Sequence, residues 1–211
     1  VAPETELMHG KVVDGDTGTF AQAVSGMQWA VENDADVVTM SLGGTTSSAF
    51  IDAVENANQM GAVVVSSSGN LGDGSSTSPG NVYDVLSVGA VDSNLDVTDF
   101  SSGEVIDTDS TWGSSAPDDW PGEYVVPDVV AAGLFVNSTS SSGGYETKSG
   151  TSMAAPHVAG ATALALSAAG DKSPDSVTDA FALTAFGSGS EEPGTRYGHG
   201  AADALGVTEH L

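Results

Sequence analysis

Apolar residues recur at two alternating periods along these 211 residues. Over 19–33, Phe20, Ala23, Val24, Met27, Ala30 and Val31 fall on one side of a 3.6-residue period, which predicts an amphipathic helix. An apolar run at 37–42 follows, and 48–60 return to the helical period with Phe50, Ala53, Val54 and Ala57 inward. Continuous apolar runs at 62–65 and 85–91 have the composition of strands buried on both faces of a parallel sheet. A similar run at 125–131 contains Pro127, which cannot donate to a ladder and implies an edge position or a strand end. Residues 7–13 predict one further short strand.

Beyond 152 an Ala-rich helix is predicted to about 169, then a helix over 173–186 with Ser173 as N-cap and Pro174 in the first turn. A last short helix starts near 201. Residues 101–122, polar and acidic around Trp112 and Trp120, suggest a surface excursion, and 138–144 a flexible Ser/Gly loop. Strands alternating with helices predict an α/β fold in three layers, a mostly parallel sheet with helices on both faces. The length suits one domain over 1–211, large enough to bury roughly 70% of its unfolded surface.

Charge changes this picture more than size does. Twenty-nine acidic residues face four basic ones, Lys11, Lys148, Lys172 and Arg196, for a net charge of -25. Such a surface repels nucleic acid and anionic membranes. It also repels itself, and at about 1 M salt the screening length falls to about 3 Å, which removes most of that repulsion. A halophilic protein that weakens in dilute buffer is the expectation. Cys is absent, which excludes disulfides and thiolate metal sites. Residue 1 is Val and no signal segment follows, so the expected whole is a longer precursor of which this domain is an amino-terminally incomplete part. The apolar stretch 153–169 carries Pro156 and His157 and is mostly Ala, as suits a buried core helix rather than a membrane span.

The most informative stretch is Ser149-Gly150-Thr151-Ser152-Met153-Ala154-Ala155-Pro156-His157-Val158-Ala159-Gly160. It sets Ser152 at a glycine turn that opens a long helix, where free N–H groups and the positive end of the dipole favour a developing anion. Two more segments stand before it in order: Met40-Ser41-Leu42-Gly43-Gly44 and Ser67-Ser68-Gly69-Asn70, each after an apolar strand.

Together these segments resemble the subtilisin-like serine peptidases. Flanking stretches such as Val88-Gly89-Ala90-Val91-Asp92, Phe100-Ser101-Ser102, Pro127-Asp128-Val129-Val130-Ala131 and Tyr197-Gly198-His199-Gly200 carry the resemblance over nearly the whole chain. It implies hydrolysis of peptide bonds through an acyl-enzyme on Ser152. The Ser152 N–H and the Asn70 side-chain amide would hold the oxyanion, and an extended substrate would pair with Ser41, Leu42 and Gly43 on one side and Thr17-Gly18-Thr19 on the other. Leu71 and the loop 75–78 would meet the substrate side chain beside the cleaved bond, with an apolar preference. A peptide or protein substrate, a propeptide or a missing amino-terminal segment are the implied partners, an extracellular, secreted setting the implied location. No cofactor is required; structural calcium is compatible with the family, with no ligands assigned here.

The resemblance also implies an aspartate and a histidine ahead of the serine. Asp16-Thr17-Gly18 imitates the aspartate motif, but it sits in the loop before the Trp29 helix and no His-Gly-Thr-His follows. His9, His157, His199 and His210 lack the context of a general base. The Asp and His are therefore expected upstream of this chain, and the isolated chain is expected to be inactive. Gly150 to Ala154 has Ala where the α/β-hydrolase elbow has glycine at its fifth position, and Asp14-Gly15-Asp16 lacks the later ligands of a calcium loop. Two other outcomes fit the same residues: a catalytically dead domain that binds peptides at Ser41 to Gly43, or a structural surface domain retaining the fold.

Overall fold

The computed structural model describes residues 1–15, 17–170, 172–187 and 194–211. The first half runs α1 (Phe20–Glu32), β1 (Val37–Met40), α2 (Ile51–Gln59), β2 (Val63–Ser67) and β3 (Leu86–Val91). Then come β4 (Glu104–Asp107), the single turn α3 (Thr108–Thr111), β5 (Glu123–Val126) and β6 (Val129–Ala132). A hairpin of β7 (Val136–Thr139) and β8 (Tyr145–Lys148) leads to α4 (Thr151–Ala169), α5 (Pro174–Thr184) and α6 (Ala204–His210).

β1, β2, β3 and β6 form the central sheet in that order, every pair parallel, with Val38 opposite Val64, Val65 opposite Leu86 and Val88 opposite Val129. Alternation along β2 divides the core. Val64 packs with α1 and α2 on one face, and Val63 and Val65 pack with α4, α5 and α6 on the other. The three-layer arrangement expected from the sequence is therefore present.

Local signals set the helix ends. Thr19 Oγ1 accepts from Gln22 N–H at 3.2 Å while Thr19 N–H donates to Gln22 Oε1 at 2.8 Å, a complete capping box. Ser173 caps α5 with Pro174 behind it, and Asp203 caps α6 through Leu205 and Gly206 N–H, both at 3.0 Å.

Several expectations need correction. Residues 7–13 form no strand: apolar composition alone makes no ladder, and Leu7 is 93% exposed. The apolar run at 125–131 is two strands in different sheets, broken at Pro127 and Asp128; β5 pairs antiparallel with β4, and β6 joins the main sheet at its edge. Residues 101–122 are more than a surface excursion, because Trp112 and Trp120 enter the core and hold β4, α3 and β5 against it. The stretch 138–144 is the turn of the β7–β8 hairpin, closed by Ser140 N–H donating to Gly144 carbonyl oxygen at 3.1 Å. Among the described residues no helix is long and apolar enough to cross a membrane.

Candidate active site

Because the sheet is parallel, the carboxyl ends of its strands and the loops after them gather at one edge, the usual location of sites in such folds. β1 runs into Ser41, Leu42 and Gly43, and β2 runs into Ser68, Gly69 and Asn70. The N-terminus of α4 opens onto the same edge, since α4 crosses all four strands.

Ser152 is the second residue of α4 and meets the end of β1 directly. Its Oγ donates to Ser41 carbonyl oxygen at 3.2 Å, and Ser41 Oγ donates to Ser152 carbonyl oxygen at 2.9 Å. The second bond has a cause in the sequence. Pro156 stands four residues after Ser152 and has no N–H to give its carbonyl, so Ser41 takes the place of the missing helical donor. As a first-turn residue, Ser152 has no carbonyl four residues earlier within the helix for its own N–H.

Asn70 is held by Thr151. Its Oδ1 accepts from Thr151 N–H at 2.9 Å and from Thr151 Oγ1 at 3.0 Å, and Thr151 Oγ1 also lies 3.1 Å from Gly69 carbonyl oxygen. With the oxygen of the carboxamide committed to α4, Nδ2 is the end left to face a ligand. Thr151 is fully buried, and in the sequence its role is marked only by its place between Gly150 and Ser152.

Two glycines make this approach feasible. Gly150 has φ 154°, a backbone that side chains rarely adopt, although a Cβ there would meet Asn70 only at the ordinary contact distance of 3.6 Å. Gly69 has φ 124°, and a Cβ would fall 2.9 Å from Ser102 Oγ and 3.0 Å from Thr77 Oγ1. Backbone in these regions is costly for any residue with a side chain.

Ser152, Asn70, Leu42, Gly43 and Leu71 line one cleft of about 610 Å3, with Thr46, Ser76 and Thr77 among the other lining residues. The separated motifs therefore meet, within a volume suited to an organic ligand. Thr17 and Gly18 do not line it. Gly18 packs on Val13, although Phe20, two residues on, reaches Gly44. Asp16 lies outside the described residues. Among the described residues, those lining the cleft include no histidine and no carboxylate. His157 Nδ1 donates to Met153 carbonyl oxygen at 2.8 Å on the same helix, while His9 and His210 are exposed. His199 N–H donates to Asp128 carbonyl oxygen at 2.7 Å. Among the described residues, no group of three or more His, Asp or Glu is placed to hold a metal ion.

Such an arrangement can present a hydroxyl and an amide donor to one carbonyl carbon and its oxygen, the requirement of acyl transfer. Known proteins are similar in sequence and in fold. Residues 1–200 match a family model described as the Subtilase family. Subtilisin DY of Bacillus licheniformis is 40% identical over 173 residues, covering 79% of this chain and 56% of its own length. A cold adapted subtilisin-like serine proteinase superposes with a TM-score of 0.66 at 32% identity, covering 89% of this chain and 60% of that one. The prenylagaramide maturation protease PagA shares the fold, with a TM-score of 0.71 at 24% identity over 92% of this chain and 68% of its own. The chain spans about half the length of the curated relatives it matches.

Proposed function

Because this chain belongs to the subtilase family of serine peptidases, we propose that it carries the nucleophile and oxyanion donors of a serine endopeptidase. Ser152 Oγ attacks the carbonyl carbon of a peptide bond. Its proton passes to a histidine, paired with an aspartate, in polypeptide outside these 211 residues. The carbonyl oxygen, now negative, accepts hydrogen bonds from Ser152 N–H and Asn70 Nδ2. Collapse of the tetrahedral adduct releases the amine with the transferred proton and leaves an ester on Ser152, which water then hydrolyses. An extended substrate lies along Ser41 to Gly43, and the reaction needs no cofactor. The acidic surface suits work in concentrated salt outside the cell, with a propeptide or amino-terminal segment as the natural partner.

The observation that carries this reading is the meeting of Ser152 and Asn70 in one cleft, with Thr151 fixing the orientation of the carboxamide. The test is labelling by a fluorophosphonate in molar salt. The longer polypeptide should be labelled at Ser152, and the 211-residue chain should not, since loss of the histidine lowers turnover by on the order of a million-fold. Strong labelling of the short chain would place the base within it. A longer polypeptide that binds peptides but resists labelling would make the domain a peptide-binding module instead.

A further inference from the structure

The two walls of the cleft are joined by a side chain that has no part in the chemistry above. Thr46 belongs to the wall that follows β1, and Ser76 to the wall that follows Asn70. Asn81 is completely buried between them. Its Nδ2 donates one hydrogen to Thr46 Oγ1 and the other to Ser76 Oγ, each at 3.1 Å, and its Oδ1 accepts from Ser78 Oγ at 2.6 Å. Ser78 Oγ accepts in turn from Ser47 N–H at 3.0 Å, and Gly44 and Ser78 exchange backbone bonds of 3.1 and 3.2 Å.

Asn81 is itself held from outside the main sheet. Tyr124 Oη donates to Asn81 carbonyl oxygen at 2.8 Å and accepts from Trp112 Nε1 at 2.8 Å. Trp120 Nε1 donates to Asp84 Oδ2 at 3.0 Å, a second grip on the same 81–84 turn. The rings of Trp112, Trp120, Tyr124 and Tyr83 pack edge-on or tilted with centroids 5.1 to 6.1 Å apart. The unit built from β4, α3 and β5 thus reaches the cleft through a continuous series of directed bonds. Loops that form the walls of a binding cleft change their spacing easily unless something ties them, and here a buried amide ties both.

We propose that Asn81, held by Tyr124, is a positioning residue that sets the width of the cleft and so decides which substrate side chains it admits. The inference rests on the peptide-cleft reading above and deepens it: selectivity is supported by the aromatic unit behind the cleft as well as by the lining residues.

The test uses the whole chain in molar salt, with Ac-Ala-Ala-Ala-Ala-NH2 and Ac-Ala-Ala-Ala-Phe-NH2 as calorimetric probes and backbone amide exchange as a probe-free readout. Tyr124→Phe keeps the ring and removes the bond to Asn81. Exchange at Gly44, Ser47 and Thr77 should quicken, and the affinity ratio of the two peptides should move toward one, by about three- to tenfold, the worth of one hydrogen bond. Trp112→Phe spares the Tyr124–Asn81 bond, so it should lower the melting midpoint and leave the ratio in place. A purely structural Tyr124 would behave like Trp112, lowering the midpoint with ratio and exchange unchanged, and that result overturns the proposal. Failure of the unaltered chain to bind either peptide would instead overturn the peptide-cleft reading, and this inference with it.

Discussion

The two faces of the central sheet solve the same packing problem with different side chains. On one face α1 and α2 bring Met27, Phe50, Ile51 and Val54 against Val38, Met40 and Val64, and Phe50 meets Phe20 edge-on at 5.7 Å. On the other, α4 packs with Ala154, Ala155, Ala159, Ala161 and Ala165, all buried. Alanine lets a helix lie close to a sheet, and α4 must lie close because its first turn has to bond the ends of β1 and β2. Bulk fills the face of α1 and α2, while α4, the helix that carries Ser152, meets the sheet mainly through small residues.

This contrast can be broken or sharpened by substitution. Phe50→Ala should have the largest effect on stability, about 3–5 kcal/mol, because it leaves a cavity on the bulky face; denaturant unfolding in molar salt measures it. Asn70→Ala should leave the fold intact and lower kcat of the active, longer polypeptide by about 2.7–4 kcal/mol in barrier, a magnitude established on subtilisin itself. Ala155→Leu should cost about 1–3 kcal/mol by overpacking, with loss of Ser152 labelling in the longer polypeptide beyond the loss of stability as α4 is pushed off the sheet. If enlargement at Ala155 were harmless to labelling, close approach would not be the reason for the alanines.

A separate difference is a slope with pH at the junction of β3 and β6. Asp128 is half-buried there, its Oδ2 accepting from Ser87 N–H at 2.6 Å, and desolvation pushes its carboxyl up to about 7. The folded state then holds a proton that the unfolded chain releases near the ordinary carboxylate range. This group's contribution is full below that range, declines as pH rises to about 7, and stays lost above it. Asp128→Asn should flatten the stability profile over that interval by at most one proton, about 1.4 kcal/mol per pH unit. An unchanged profile would show that another group sets the slope.

Much of this molecule was legible before any coordinates. The periods of α1, α2 and α5 and the apolar runs of β1 to β3 carry local signatures, since one-sided burial forces a 3.6-residue repeat and two-sided burial a continuous run. The pairing of β4 with β5 and of β7 with β8 was not legible: β4 is too short and mixed to carry a period, the apolar run at 125–131 hides its break at Pro127, and the β7–β8 hairpin is mostly polar and exposed. The burial of Trp112 and Trp120 was equally hidden within an acidic segment.

At the candidate site the sequence singled out Ser152, Asn70 and Ser41 to Gly43 as separate words of one pattern. It said nothing of Thr151 turning the Asn70 carboxamide, of Ser41 replacing the donor that Pro156 lacks, or of Asn81 joining two walls.

The periods of the amphipathic helices, the apolar runs of β1 to β3 and the motifs around the candidate residues Ser152 and Asn70 were determined by the chain itself, because each depends on neighbours a few positions away. Which atoms meet was decided only by the tertiary structure. Ser41 and Ser152 stand 111 positions apart and Asn70 and Thr151 81 apart, and bonds over such separations are fixed by strand order and helix placement, which leave no periodic trace in the sequence.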